Sequence, residues 1–509
     1  MIKIFKKILY LLFSILLLIT LFFLVDLTDI DNSYTNRSLI EIDSKNLNSR
    51  HSFKISTYLR YYYLKAYKII NKESYKKRWE VEEQNIRNSF PEEIIIKAKI
   101  NDFSNQSYPL EEYSTSNDWF RSHGNNFSTR FSNFNKINSE NAKNLKLAWV
   151  YSPKDEKNFI YNVQANPIFY KGNIFLPNSQ NQIVSINGLT GEQNWKFNVD
   201  KGIAAKRGMI LYESEKDNKE PRIFFVNNRN RLFSLNANTG EPIKNFGKNG
   251  YIPISTITAP MIYGESLVVS TTQAIFSYNK YTGEQKSKIN FHPKRDFLGG
   301  SGSAWGGVAL DKKKGFVYVV SGNPRPGSYG VKRKGDNPNS NSIIAINLIE
   351  RKISWTFQEV AHDLWDYDIA SPPLLATIDL NNELVDVVIV TTKIGNTLIF
   401  KRTSGEPLYD IKYQNVPRSD YIEEIVSPKQ IKIKIPEPFM DLNFKYEDFD
   451  GRLNTEKQEI LRNIKDYSFG TFVPPSFKKD VIVYGLHGGA QWPGAVFDPF
   501  TQNIYLQVN

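Results

Sequence analysis

SINGLTGEQNW (Ser185–Trp195) sets out, in eleven residues, a β-prone run, a polar residue, a Thr-Gly-Glu turn and an aromatic. The same order returns in SLNANTGE (Ser234–Glu241), SYNKYTGE (Ser277–Glu284), AINLIERKISW (Ala345–Trp355) and FKRTSGE (Phe400–Glu406). The turn glycines Gly191, Gly240 and Gly283 lie 49 and 43 residues apart, the length of one four-stranded propeller blade. Glycine suits a turn position that needs positive φ, and the Trp four residues later is expected to pack between neighbouring blades. From Asn117 onward the chain therefore reads as all-β, a β-propeller built from short strands with turn punctuation.

Composition agrees. The chain has 509 residues, 14% of them aromatic, with 28 Tyr and 33 Phe, which favours extensive sheet. The net charge of +12 is scattered in single lysines and short clusters such as Lys76-Lys77-Arg78. It forms no aromatic-interleaved basic helix and no zinc or RNA-recognition motif, so no nucleic-acid partner is expected. Cysteine is absent, which excludes disulfides, Cys-ligated zinc, iron–sulfur clusters and covalently attached c-type haem.

Ile8–Val25 is an unbroken 18-residue apolar run preceded by Lys3, Lys6 and Lys7 and followed by Asp26, Asp29 and Asp31. At about 1.5 Å per residue it can cross a hydrocarbon core, with the N-terminus in the cytoplasm. The competing reading is a cleaved signal peptide, although no A-x-A-like site follows Val25. Both readings place the remainder outside the cytoplasm. The expected organisation is a membrane anchor or signal segment over residues 1–30, a linker with a helical segment over 31–116, and the propeller over 117–509. Within the linker, Tyr58, Leu59, Tyr62, Tyr63, Ala66 and Ile69 give a helical period across Phe53–Asn88, ended by Pro91. Residues 92–116 read as irregular and polar.

The chemistry concentrates between Ala361 and Gly405. AHDLWDYDIASPP (Ala361–Pro373) crowds Asp363, Asp366 and Asp368 around Trp365, and the apolar runs Val387–Val390 and Thr397–Phe400 flank a Gly395-Asn396 hairpin signal. Lys393 stands just before that turn. Taken alone, a Trp-Asp pair in a turn and a lysine at a strand end are ordinary loop chemistry. In a propeller, residues far apart in sequence converge, and a carboxylate beside a lysine becomes an acid/base and electrophile pair.

Several motifs, in order, resemble the pyrroloquinoline quinone (PQQ)-dependent dehydrogenases, eight-bladed propellers of the periplasm. DWFRSHGNNFSTRFS (Asp118–Ser132) and NLKLAW (Asn144–Trp149) are similar to the family's opening. GGSGSAWGG (Gly299–Gly307) with YVVSGNPRP (Tyr318–Pro326) is similar to its cofactor floor, HDLWDYD to its catalytic loop, and GGAQW (Gly488–Trp492) with VFDP (Val496–Pro499) to its late signature. The resemblance implies Trp305 under the PQQ ring, Arg207 on a PQQ carboxylate and Trp492 at the cofactor edge. It implies Lys393 on the reactive quinone carbonyl, Asp366 as general base, and Asn323 with Asp366 as ligands of Ca²⁺, a lanthanide being the alternative metal. It further implies a hydroxyl substrate (sugar, polyol or alcohol), ubiquinone or a separate cytochrome as electron acceptor, and an inner-membrane, single-pass protein with its propeller in the periplasm.

Three positions depart from the family pattern. Gln180 stands where glucose-oxidising members carry a histidine, the adjacent cysteine pair of alcohol-type members is absent, and Val269–Gln273 lacks their acidic calcium ligand. The S-P-P after the catalytic loop and K-I-G-N (Lys393–Asn396) lie nearer the sugar-oxidising branch. The sequence ends inside what resembles the seventh blade region, so an incomplete propeller, with a separate chain supplying the last blade, is also expected. The alternative function is a non-catalytic propeller of related ancestry acting as a periplasmic scaffold.

Overall fold

The computed structural model describes residues 72–98, 118–153, 161–200, 202–213, 220–291, 302, 304–327, 329–331, 333–421, 423–442, 454–476, 478–482 and 488–508. The apolar run Ile8–Val25 and the linker as far as residue 71 lie outside the described residues. Among those described, no helix is long and apolar enough to cross a membrane. A helix, Lys72–Asn88, occupies the later part of the expected Phe53–Asn88 segment, whose earlier part is also outside the described residues. It belongs to a unit, Met1–Ser89, distinct from the one that holds the sheets.

The sheets follow the sequence period. Four consecutive four-stranded antiparallel meanders run Ile168–Asn198, Ala204–Pro253, Met261–Asn290 and Val308–Gln358, and a three-stranded one follows over Leu374–Lys401. This is a propeller-like, all-β architecture. Burial grades across each blade. Middle strands such as Arg222–Asn227 and Phe316–Val320 are buried at every residue, so both faces are covered by neighbouring blades. Outermost strands such as Gln193–Asn198 and Lys352–Gln358 alternate between exposed and half-buried residues, the period-two pattern of a strand with one wet face. Of the stretch 92–116, residues 92–98 are described, and these are less irregular than their composition suggests. Ile95–Ile96 pairs with Ile411 and Lys412, extending the sheet of Ile411–Asn415 and Lys429–Lys432. Two residues are too short a run to show a period.

The turn tryptophans tie blade to blade. Trp149, Trp195 and Trp355 donate their indole N–H to the carbonyls of Gly188, Ala237 and Arg402, at 3.0, 3.0 and 3.1 Å. Each ring lies beneath the turn glycine of the following blade, Gly191, Gly240 or Gly405. Those glycines have φ near +75°, and a Cβ on any of them would sit 2.5–2.6 Å from an indole carbon. The recurring glycine thus serves the turn and makes room for the ring. The third seam lacks a tryptophan, and Ile252 lies against Gly283 instead.

One segment crosses all of this. Trp119 exchanges backbone hydrogen bonds with Phe169, Ser122 donates to Met209, and Phe120 accepts from Leu211. Farther along, Asn126, Phe127 and Thr129 accept from Leu310, Leu375 and Phe497. The stretch Trp119–Arg130, in which Arg130 N donates to the His123 carbonyl, therefore runs along the first strands of the first, second, fourth and fifth of these sheets and along Val496–Asp498.

Candidate active site

The loop AHDLWDYD (Ala361–Asp368) is shaped by Asp363. Its fully buried carboxylate accepts from the backbone N–H of Trp365 at 2.8 Å and of Tyr367 at 2.9 Å, and from Asn341 Nδ2 at 2.9 Å. Burial pushes this carboxyl up to about 6, opposed by those donors. The tightened turn sends alternate side chains to opposite sides. Trp365 and Tyr367 pack on Phe472, ring centroids 5.3 and 6.0 Å away, and donate to the carbonyls of Val473 and Thr471. Asp366 and Asp368 face the other way. Asp366 adopts φ +64°, a left-handed conformation that costs a non-glycine residue about 1–2 kcal/mol and is commonly retained where geometry serves function.

Three loops meet on that side. Asp366 Oδ1 accepts from Asn323 Nδ2 at 2.6 Å, and Oδ2 accepts from Lys393 Nζ at 3.0 Å. The same ammonium donates to the Asp366 carbonyl and lies 3.5 Å from Asp368 Oδ2. Asp368 Oδ1 accepts from the Asn323 backbone at 2.7 Å and from Trp305 Nε1 at 3.2 Å. Burial raises the Asp368 carboxyl, partly offset by Lys393. Lys393 is 3% exposed, whereas the Asp366 side chain keeps 26%, so the carboxylate is the member of the pair that an incoming molecule can reach. Gly322 makes the approach possible, because a Cβ there would fall 1.9 Å from Asp368 Oδ1. Lys393 lies in the turn between Glu383–Thr391 and Thr397–Lys401, which pair as the hairpin the sequence announces. Its carbonyl accepts from Gly489 N at 2.7 Å, which brings the GGAQW stretch to the site.

The remaining residues singled out in the sequence join this cluster through Trp305. The Arg207 guanidinium lies 5.0 Å from the ring centroid of Trp305 and 4.5 Å from that of Trp492, close enough for cation–π attraction to both. Arg207 Nε and Nη1 are buried and have no hydrogen-bond partner among the described residues. Burial lowers this guanidinium to about 10. Trp305, Arg207, Asn323, Asp366, Lys393 and Trp492 are therefore neighbours in one site. Gln180 is fully buried in an amide-rich turn, its N–H donating to Asn178 Oδ1 at 3.0 Å.

A family profile described as "PQQ: Glucose/ethanol/alcohol dehydrogenase, beta-propeller domain" matches residues 119–509. The chain belongs to this family. Quinoprotein glucose dehydrogenase A of Acinetobacter calcoaceticus is 28% identical over 440 residues, covering 73% of this chain and 55% of that protein. The glycerol dehydrogenase large subunit of Gluconobacter thailandicus is 25% identical over 439 residues, covering 75% and 58%. Among solved structures, the quinohemoprotein alcohol dehydrogenase of Comamonas testosteroni superposes with a TM-score of 0.56 at 20% identity, covering 78% of this chain and 58% of that one. A europium-containing methanol dehydrogenase superposes with 0.55 at 16%, covering 79% and 70%. This chain spans about half the length of the curated relatives it matches. The structural likenesses support the fold, and the family membership rests on the profile.

Several residues at the site carried no role in the sequence reading. Glu359, 1% exposed, accepts from Asn396 Nδ2 at 2.8 Å, and its carboxyl is pushed up to about 7 by burial. His362, at the start of the Asp366 loop, bonds Glu424 Oε1 through Nε2 at 2.6 Å, and both side chains are buried. Arg333 bonds the carbonyls of Asp363, Pro326 and Gly327, tying the loop after Asn323 to the loop of Asp366. His123, from the crossing segment, is also buried here, and Arg130 is half-buried with Nε and Nη2 out of solvent. Their one signal was compositional. From Trp119 to Ser139 there is no acidic residue, although Arg121, His123 and Arg130 fall within the stretch.

Proposed function

We propose that this chain is the catalytic propeller of a PQQ-dependent oxidoreductase acting on the CH–OH group of a sugar, polyol or alcohol. The observation that carries the reading is the Asp366 carboxylate, held between Asn323 and Lys393 at 2.6 and 3.0 Å while still reachable. The surroundings fit the cofactor. PQQ is an aromatic tricarboxylate, and Arg207 offers two unpaired buried N–H-bearing nitrogens beside two indole rings. Trp305, Trp492, Arg207 and Lys393 would hold it. Asn323, Asp366 and Asp368 carry the amide and carboxylate oxygens that hard cations take; the Asn323 amide nitrogen now donates to Asp366, and a half-turn of that amide would present its oxygen, so we assign Ca²⁺ there, with a lanthanide as the alternative. Among the described residues no cluster of three or more His, Cys, Asp and Glu exists, so further ligands would be cofactor or water oxygens.

When bound, PQQ supplies a quinone that accepts hydride from the substrate carbon. The chain's own part is positioning and proton transfer. Asp366 takes the hydroxyl proton at a carboxylate oxygen. Lys393 fixes the orientation of that carboxylate and places a positive charge at the reacting centre. Trp305 and Trp492 exclude water and fix the plane of the ring. The same reading includes an eight-bladed propeller in the periplasm, an inner-membrane anchor at Ile8–Val25, and transfer of electrons to ubiquinone or a separate cytochrome. With no cysteine in the sequence, the chain itself offers no c-type haem attachment.

The test is equilibrium PQQ binding to the purified full-length chain, with and without Ca²⁺ or a lanthanide, followed by dye reduction with glucose, glycerol and ethanol. Saturable, metal-dependent binding and turnover of one hydroxyl class is the expected result. Absence of PQQ binding with every metal would instead favour a non-catalytic scaffold.

A further inference from the structure

Two loops of similar form close on the site, Trp305-Gly306-Gly307 and Trp492-Pro493-Gly494. The tryptophan of each lies on Arg207. The last glycine of each lies on a different cationic residue of the crossing segment. A Cβ on Gly307 would be 3.3 Å from His123 Cε1, and one on Gly494 would be 2.8 Å from Arg130 Nη1. Pro372, just after the catalytic loop, touches both glycines. His123 and Arg130 thus flank the centre on which Arg207 and the two indoles converge.

These groups share an electrostatic peculiarity. Arg130 Nε and Nη2, Arg207 Nε and Nη1, and His123 Nδ1 are buried without a hydrogen-bond partner among the described residues. Arg130 Nη1 is used, donating to the carbonyls of Ser128 and Ala495, and so is Arg121, which donates to Ser128 Oγ and the Val308 carbonyl. Among the described residues no carboxylate acts on any of the four. Burial lowers Arg121 and Arg130 to about 9, and burial with the fields of Arg130, Arg121 and Arg207 holds His123 well below its ordinary value. Unpaired buried guanidinium groups are costly and call for anionic partners. Five such nitrogens on three side chains call for more than one carboxylate.

We infer that His123 and Arg130 complete, with Arg207, a buried cationic clamp for the carboxylate-bearing edge of the quinone cofactor, an inference that rests on the PQQ reading above. Arg130 and Arg207 grip separate carboxylates. His123 is neutral before binding and takes up a proton when the polyanion reverses the local field, so affinity rises as pH falls. The groups facing His123 in this respect are Arg121, Arg130 and Arg207.

The experiment is fluorescence titration of the full-length protein with PQQ and with 9,10-phenanthrenequinone, a carboxylate-free quinone, at pH 6 and pH 8. Arg130→Met is expected to weaken PQQ binding about ten- to hundredfold, the range of a lost charged hydrogen bond, and to leave phenanthrenequinone binding unchanged. Wild-type protein should bind PQQ more tightly at pH 6 than at pH 8, and His123→Asn should abolish that difference. Because Arg130 also holds Ser128 and Ala495, unfolding midpoints accompany each titration, and the His123→Asn pH comparison decides if Arg130→Met fails to fold. Variants that bind PQQ like wild type, or that lose both quinones equally, would overturn the clamp. Failure of wild-type protein to bind PQQ would overturn the cofactor reading itself.

Discussion

At the blade seams, Trp149, Trp195 and Trp355 each lie under the turn glycine of the next blade and donate one hydrogen bond to a backbone carbonyl. At the centre, Arg207 comes from the strand Ala204–Tyr212 and Trp305, Asn323, Asp366, Lys393 and Trp492 from separate loops, and the six share no motif. The three tryptophan seams are nearly identical, so a single local rule builds each of them. The centre is charged and unrepeated. It contains a carboxylate in a left-handed backbone conformation, a buried lysine beside two aspartates, and arginines with unpaired nitrogens. Stability should therefore reside mainly in the seams, and chemistry in the centre.

The sharpest way to break this division is Lys393→Met. Losing the ammonium that orients Asp366 should reduce turnover about a hundred- to thousandfold, read as kcat of the PQQ-loaded protein. A rate within threefold of wild type would make Lys393 a structural residue. Glu359→Gln sharpens the comparison through pH. Burial raises this carboxyl in the native state to about 7, against an unfolded value near 4.5. Its stabilisation is thus fully present below about pH 4.5 and is lost as pH rises through about 7, by at most about 3 kcal/mol. The glutamine keeps the oxygen that accepts from Asn396, so the variant's unfolding midpoint should fall less than wild type's between pH 5 and pH 8. Parallel curves would place the ionisation elsewhere.

Trp195→Ala tests the seams. The ring is half-buried, so the cost should be about 2–3 kcal/mol in denaturant unfolding, short of the ~3–5 kcal/mol of a fully buried tryptophan. PQQ affinity should hardly move. A large loss of binding with little loss of stability would show that seam and centre are coupled. The smallest effect belongs to Lys171→Gln, which breaks the exposed pair with Glu213 and should leave the unfolding midpoint unchanged within error.

The same contrast explains what the sequence made legible. The blades could be read because Gly191, Gly240 and Gly283 recur at a fixed interval with aromatic partners, and repetition is visible in one chain. Asp366 and Lys393 could be singled out because a crowded acidic loop and a lysine within an apolar hairpin are locally unusual. That they share a site with Asn323 and Trp305 was implied by the family resemblance and could not be read from spacing, since the hydrogen bonds from Asn323 to Asp366 and from Trp305 to Asp368 span 43 and 63 residues. His123 and Arg130 were harder still. In DWFRSHGNNFSTRFS they sit among polar residues that suggest a surface loop. Only the course of that segment along the first strands of the sheets covers them. The pairing of Ile95–Ile96 with Ile411–Asn415 escaped for the opposite reason, a strand too short to display a period.

The most direct measurement of the central claim compares PQQ binding and turnover in Asp366→Asn. The asparagine keeps the size of the side chain and an oxygen toward Lys393, but it cannot take the substrate proton. The account predicts PQQ affinity close to wild type with turnover reduced about a hundred- to ten-thousandfold. Turnover near the wild-type rate with PQQ bound would contradict it, and the base would then have to be sought elsewhere in the centre.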